Sequence, residues 1–160
     1  MSNQFEIDLA NAKEAEKIVK DTLTALTADY TFIDVSNEPE YYHKGDIKAI
    51  DSSGKEFYLE VKDDSRIADT QRILCEEEVY YKNSDYTAIG NMYSDYEYYC
   101  IVSKQDRKIY ILDFDVLKKI YRKYAVDFKK INHKSQYSWC YLLEMCRAKQ
   151  LGALMYKLSY

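Results

Sequence analysis

The chain is poor in the residues that break or staple a fold. One proline in 160 residues marks a single turn, at Asn37-Glu38-Pro39. No apolar run approaches the ~20 residues that cross a bilayer. Met1 to Asp8 lacks the basic start and apolar stretch of a secretory signal. No membrane association and a cytoplasmic location are therefore expected. Cysteine occurs four times (Cys75, Cys100, Cys140, Cys146), never as a close CxxC pair. Buried or half-buried thiols are expected, because a zinc set of Cys140, Cys146 and His133 lacks paired ligand spacing. There is no glycine-rich phosphate loop and no Ser-His-Asp set, and neither His43 nor His133 has a partner that would make it a base. The net charge of −4 argues against wrapping nucleic acid by charge alone, but leaves room for a local basic groove.

What is abundant is tyrosine, at 18 residues, within a composition that is 47% apolar and 31% charged. That balance belongs to one globular domain, residues 1–160, with one hydrophobic core. Tyrosine favours strands and half-buried packing with its hydroxyl in water; stacking on bases is its rarer use.

Asp8 to Ala28 reads as an amphipathic helix, with Leu9, Ala12, Glu16, Val19 and Leu23 on one stripe and Asp8 as its cap. Glu16 is anomalous, a carboxylate on the buried side. Tyr30–Val35 reads as a strand. Tyr41–Ile50 and Glu56–Lys62 read as a hairpin around a Ser-Ser-Gly loop in which Gly54 supplies the positive φ. Further strands are expected at Arg72–Tyr81, Tyr98–Ser103 and Lys108–Phe114, then a helix at Asp115–Tyr124. The tail from Trp139 to Leu158 combines a strand at Cys140–Leu143 with a final helix or strand. No repeat or linker interrupts this order, which implies an α+β or α/β domain.

Strand parity decides what the hairpin displays. Ile47 and Ala49 share one face with Phe57, Leu59 and Val61; Asp46 and Lys48 share the other with Glu56, Tyr58, Glu60 and Lys62. The fold-back places Asp46 opposite about Glu60. Two carboxylates about 4 Å apart repel by roughly 1 to 4 kcal/mol between water-like and near-surface dielectric. Lys62 offsets part of that, and a divalent metal would offset more; hard oxygen ligands suit Mg²⁺ or Mn²⁺.

Gly45-Asp46, thirteen residues, then Glu60-Val61-Lys62 resembles the signature of the PD-(D/E)XK nuclease superfamily, with glycine in place of the variable proline. The resemblance covers about Ala12 to Phe114, and Lys108–Phe114 followed by Leu117 is similar to small phage and mobile-element members. It implies a restriction-endonuclease-like α/β fold, a mixed central β-sheet flanked by helices. It also implies hydrolysis of phosphodiester bonds in DNA with Mg²⁺ or Mn²⁺. Asp46, Glu60 and the Val61 carbonyl would hold the metal, and Lys62 would assist the attack of water. Glu16 would match the glutamate that many members carry on the preceding helix. Homodimers are common in that family. The rival reading is a nuclease-like fold without catalysis that binds nucleic acid or protein.

Other candidates are weighed against a solvated surface. Asp63 and Asp64 could join a second metal, and Thr70, Gln71 and Arg72 could touch a phosphate. Glu76, Glu77 and Glu78 form an acidic run whose default is solvated charge. Lys44, Lys48, Arg66 and Arg72 could contact phosphates beside the site. Lys118, Lys119, Arg122, Lys123, Lys129 and Lys130 make the densest basic region.

Overall fold

The computed structural model describes residues 4–132 and 136–160. The chain runs through α1 (Gln4–Leu26), β1 (Tyr30–Asp34), β2 (Ile47–Asp51), β3 (Glu56–Asp63), α2 (Ile67–Thr70), β4 (Arg72–Tyr81) and β5 (Thr87–Ile89). It continues through β6 (Tyr98–Ser103), β7 (Lys108–Asp113), α3 (Phe114–Tyr124), β8 (Asp127–Asn132), β9 (Gln136–Glu144), α4 (Met145–Gln150) and β10 (Leu154–Ser159). Six strands form a central sheet in the order β1-β2-β3-β6-β7-β10. Its pairs are antiparallel except β3 with β6, which run parallel. A parallel pair needs a long crossover. Here the crossover builds α2, β4 and β5, and β4 then pairs with β9 in a second sheet ordered β5-β4-β9-β8. The protein is thus a mixed α/β structure around a mixed sheet, with four helices among the described residues.

Helix α1 lies on one face of the central sheet. Ala15 and Val19 are fully buried against Ile47, Ala49, Leu59 and Val61, the spacing that aims one helical stripe at a core. The other face packs differently from expectation. Tyr99, Ile101, Tyr110 and Leu112 meet Leu117 of α3, but also Ile73, Cys75 and Leu143 of the second sheet. One helix, α1, therefore flanks one side of the sheet, while the other is shared between helices and a sheet. Strands β6 and β7 are apolar on both parities because both faces are covered. No described helix is long and apolar enough to cross a membrane.

Several boundaries depart from the sequence reading. Helix α1 starts at Gln4, so Asp8 lies within it rather than capping it. The strand expected from Tyr41 begins only at Ile47: Pro39–Tyr41 forms a 3₁₀ turn, and Gly45 adopts φ +126°. The hairpin loop forms as expected, with the Asp51 carboxylate accepting from the Ser53 and Lys55 amides and Gly54 at φ +86°. Asp113 caps α3 by accepting from the Val116 amide at 2.9 Å. The final element is a strand, β10.

Candidate active site

Gly45 sets the geometry. A Cβ there would lie 2.7 Å from the Leu59 carbonyl oxygen, and its φ suits glycine alone. The chain swings past β3 at that point, and the backbone ladder between β2 and β3 stops. The Asp46 amide still donates to the Leu59 carbonyl at 2.8 Å. Its side chain then does what backbone would otherwise do: Oδ2 accepts from the Val61 amide at 2.8 Å. In an antiparallel pair a residue's N–H and C=O address the same neighbour. The Val61 carbonyl therefore faces the same gap as the Asp46 carboxylate.

Glu60 and Lys62 flank Val61 on the face away from α1. Lys62 Nζ lies 2.5 Å from Glu60 Oε1. The Lys62 side chain is 45% accessible and Glu60 only 16%, although protein surrounds the lysine deeply. An ammonium that is both enclosed and wetted sits on the floor of a cleft.

Electrostatics follow from the arrangement. Burial pushes the Asp46 carboxyl up to about 7, and the Glu60 charge pushes the same way, with Glu16 adding to it. The Val61 amide and Lys62 oppose the rise without cancelling it. The Lys62 ammonium is held charged well above its ordinary range, chiefly by Glu60 and against its own burial. Two carboxylates thus share one ammonium, and the balance is met by a proton on Asp46 or by a further cation.

The donors are hard oxygens: two carboxylates and the Val61 carbonyl. Among the described residues no group of three or more His, Cys, Asp or Glu side chains gathers closely enough to hold a metal. Mg²⁺ does not need such a cage, since it keeps several waters and commonly takes one or two carboxylates. The donor set fits that ion. Glu16 stands one step back. It is only 6% exposed, accepts from Ser36 Oγ at 2.8 Å, and pairs with Lys13 at 3.0 Å. Asp46 feels the Glu16 charge, while the Glu16 carboxylate itself is hydrogen-bonded to Lys13 and Ser36.

Beside Lys62 opens a cleft of about 610 Å³ between β3 and the second sheet. Asp64 and Arg66 line it from the turn after β3, Arg72 and Glu76 from β4, and Lys129 from β8. Asp63 is tied to Lys104 at 3.0 Å, and burial raises the Asp64 carboxyl while it caps the turn at the Arg66 amide. Thr70 lines the cleft, whereas Gln71 adopts φ 50° and returns its amide to the Ile67 carbonyl.

The acidic run divides three ways. Glu76 faces the cleft and accepts from Ser138 Oγ, and Glu78 is exposed. Glu77 is buried against Arg122, correcting its reading as solvated charge. Lys48 pairs with Glu56, Lys44 packs over the Tyr58 ring, and neither lines the cleft. The expected basic patch also separates. Lys118 pairs with Asp115, Lys129 enters the cleft, and Lys130 lies over the Tyr137 ring. His133 lies outside the described residues; Cys140 is buried and Cys146 exposed, both as free thiols.

Sequence reasoning missed the contribution of β8 and β9 to the cleft. The available signal was weak: adjacent Lys129 and Lys130 break the alternation that would have marked a strand. No family model, no curated protein and no solved structure matches the chain.

Proposed function

We propose that this is a restriction-endonuclease-like domain that hydrolyses phosphodiester bonds in DNA with Mg²⁺ or Mn²⁺, at Asp46, Glu60 and Lys62. The observation that carries the reading is the Val61 amide bond to Asp46. It fixes one carboxylate in the plane of the sheet, next to the Glu60–Lys62 pair and the Val61 carbonyl. A divalent ion bound there would supply Lewis acidity to the phosphate and lower the pKa of an attacking water.

The chain's own groups supply the rest. Asp46 and Glu60 present oxygen donors, and the rigid β3 backbone keeps them in place. Lys62 is kept charged by Glu60, and its Nζ can donate to a phosphate oxygen as negative charge builds in the transition state. Glu16, held by Ser36 and Lys13, adds negative potential behind Asp46 and so favours a bound cation.

The test uses the full chain with linear duplex, circular single-stranded and branched DNA, in Mg²⁺, Mn²⁺ or EDTA. Cleavage should require the divalent ion. Lys62→Ala and Asp46→Asn should each lower the rate by about 100-fold or more, the size expected for loss of one transition-state donor or metal ligand, with melting behaviour retained. Wild-type protein that cuts none of these substrates overturns the reading and leaves a binding module.

A further inference from the structure

We infer that the cleft beside Lys62 binds an unpaired nucleic-acid strand, so that the substrate enters as single strand rather than intact duplex. This rests on the nuclease reading only in assigning the cleft to that site. The binding claim stands on the cleft's own lining.

The first observation is a mixture of surfaces. Lys62, Arg66, Arg72 and Lys129 bring four cations to the cleft of a chain whose net charge is −4. Asp63 is paired with Lys104 and Lys62 with Glu60, while the Asp64 and Glu76 carboxylates are held by the Arg66 amide and the Ser138 hydroxyl. Arg72 and Lys129 enter no ion pair among the described residues. Cations left without acidic partners are suited to phosphates.

The second observation is aliphatic. Leu74 and Leu142 face one another across β4 and β9; of the aliphatic residues lining the space, Leu74 and Ile131 are half-buried and offer surface to it, while Leu142 and Ile101 are buried. Duplex contacts go to phosphates and groove edges, which are polar. The faces of paired bases are stacked and hidden, so a leucine and isoleucine wall gives nothing to duplex. An unpaired base can lay its face on such a wall. A space of about 610 Å³ is the size of a small-molecule site and holds roughly one or two nucleotides, not a duplex turn.

The experiment measures fluorescence anisotropy of wild-type protein in EDTA, where no cleavage occurs, with labelled dT20, rU20 and a 20-base-pair duplex. Either single strand should bind at least 10-fold more tightly than duplex, and the two arms identify the preferred sugar. Arg72→Ala with Lys129→Ala should weaken single-strand binding about 10-fold or more. Leu74→Glu should do the same; if that variant folds poorly by melting, the Arg72→Ala, Lys129→Ala double variant alone decides. Equal or tighter duplex binding, or an unchanged double variant, overturns the inference. Single-strand binding without cleavage in any metal overturns the nuclease reading alone, while duplex-preferring cleavage overturns this inference alone.

Discussion

Asp46 serves two masters, as hydrogen-bond acceptor for a backbone amide and as an anion near Glu60. Its folded pKa of about 7 stands above the ordinary carboxylate value. The fold therefore holds this proton more tightly than the unfolded chain does. The stability it contributes is fully present below the unfolded carboxylate pKa and is lost as pH rises through about 7. Asp46→Asn keeps an acceptor for the Val61 amide and removes the charge. Without metal, the variant should be more stable than wild type at pH 8, with the gap closing toward pH 4, as read by chemical denaturation. Mn²⁺ affinity of the wild type, by calorimetry, should rise from pH 6 to pH 8, because a ligand must be deprotonated.

At the scale of elements, Glu77 joins β4 to α3. Arg122 holds both its oxygens at 2.9 Å, Tyr93 donates at 2.8 Å, and Tyr121 donates as well. The register of β4 against β9 shifts here, and Gly90 packs so close that its amide reaches the Glu77 carbonyl at 2.7 Å. Glu77→Ala should cost about 2 to 3 kcal/mol in urea unfolding, the scale of stranding the hydroxyl and guanidinium donors it satisfies. Arg122 is half exposed, so solvent screens its share of that loss. Glu77 was legible in principle. It shares strand parity with buried Ile73, Cys75 and Val79, the same kind of anomaly that singles out Glu16 on α1. The hairpin was readable because turn chemistry and alternation are local, and β4 was bounded correctly. The parallel β3–β6 pairing was not, since nothing in residues 56–63 specifies a partner beyond an intervening sheet. The start of β2 was placed too early, because Tyr41 and Tyr42 look like strand residues while Gly45 forbids strand continuity.

For the whole molecule, charge is distributed against its total. A net −4 chain should bind duplex weakly and without preference, while the cleft concentrates cations. With about one or two phosphates neutralised in a cleft of that size, the log–log salt slope for dT20 should be about −1. A titration between 50 mM and 300 mM salt that shows no slope would mean the cations do not meet the strand. The topology adds a consequence in time. Asp46, Glu60 and Lys62 lie on a hairpin whose contacts are local, whereas the far wall of the cleft is completed by β9, drawn from the last third of the chain. Local pairs close early and distant ones late. In a chain emerging from the ribosome, the hairpin pairing is therefore expected to precede the docking of β9 on β4. A strand held in the cleft as inferred could be held only after β9 has paired with β4, because β9 residues complete its far wall.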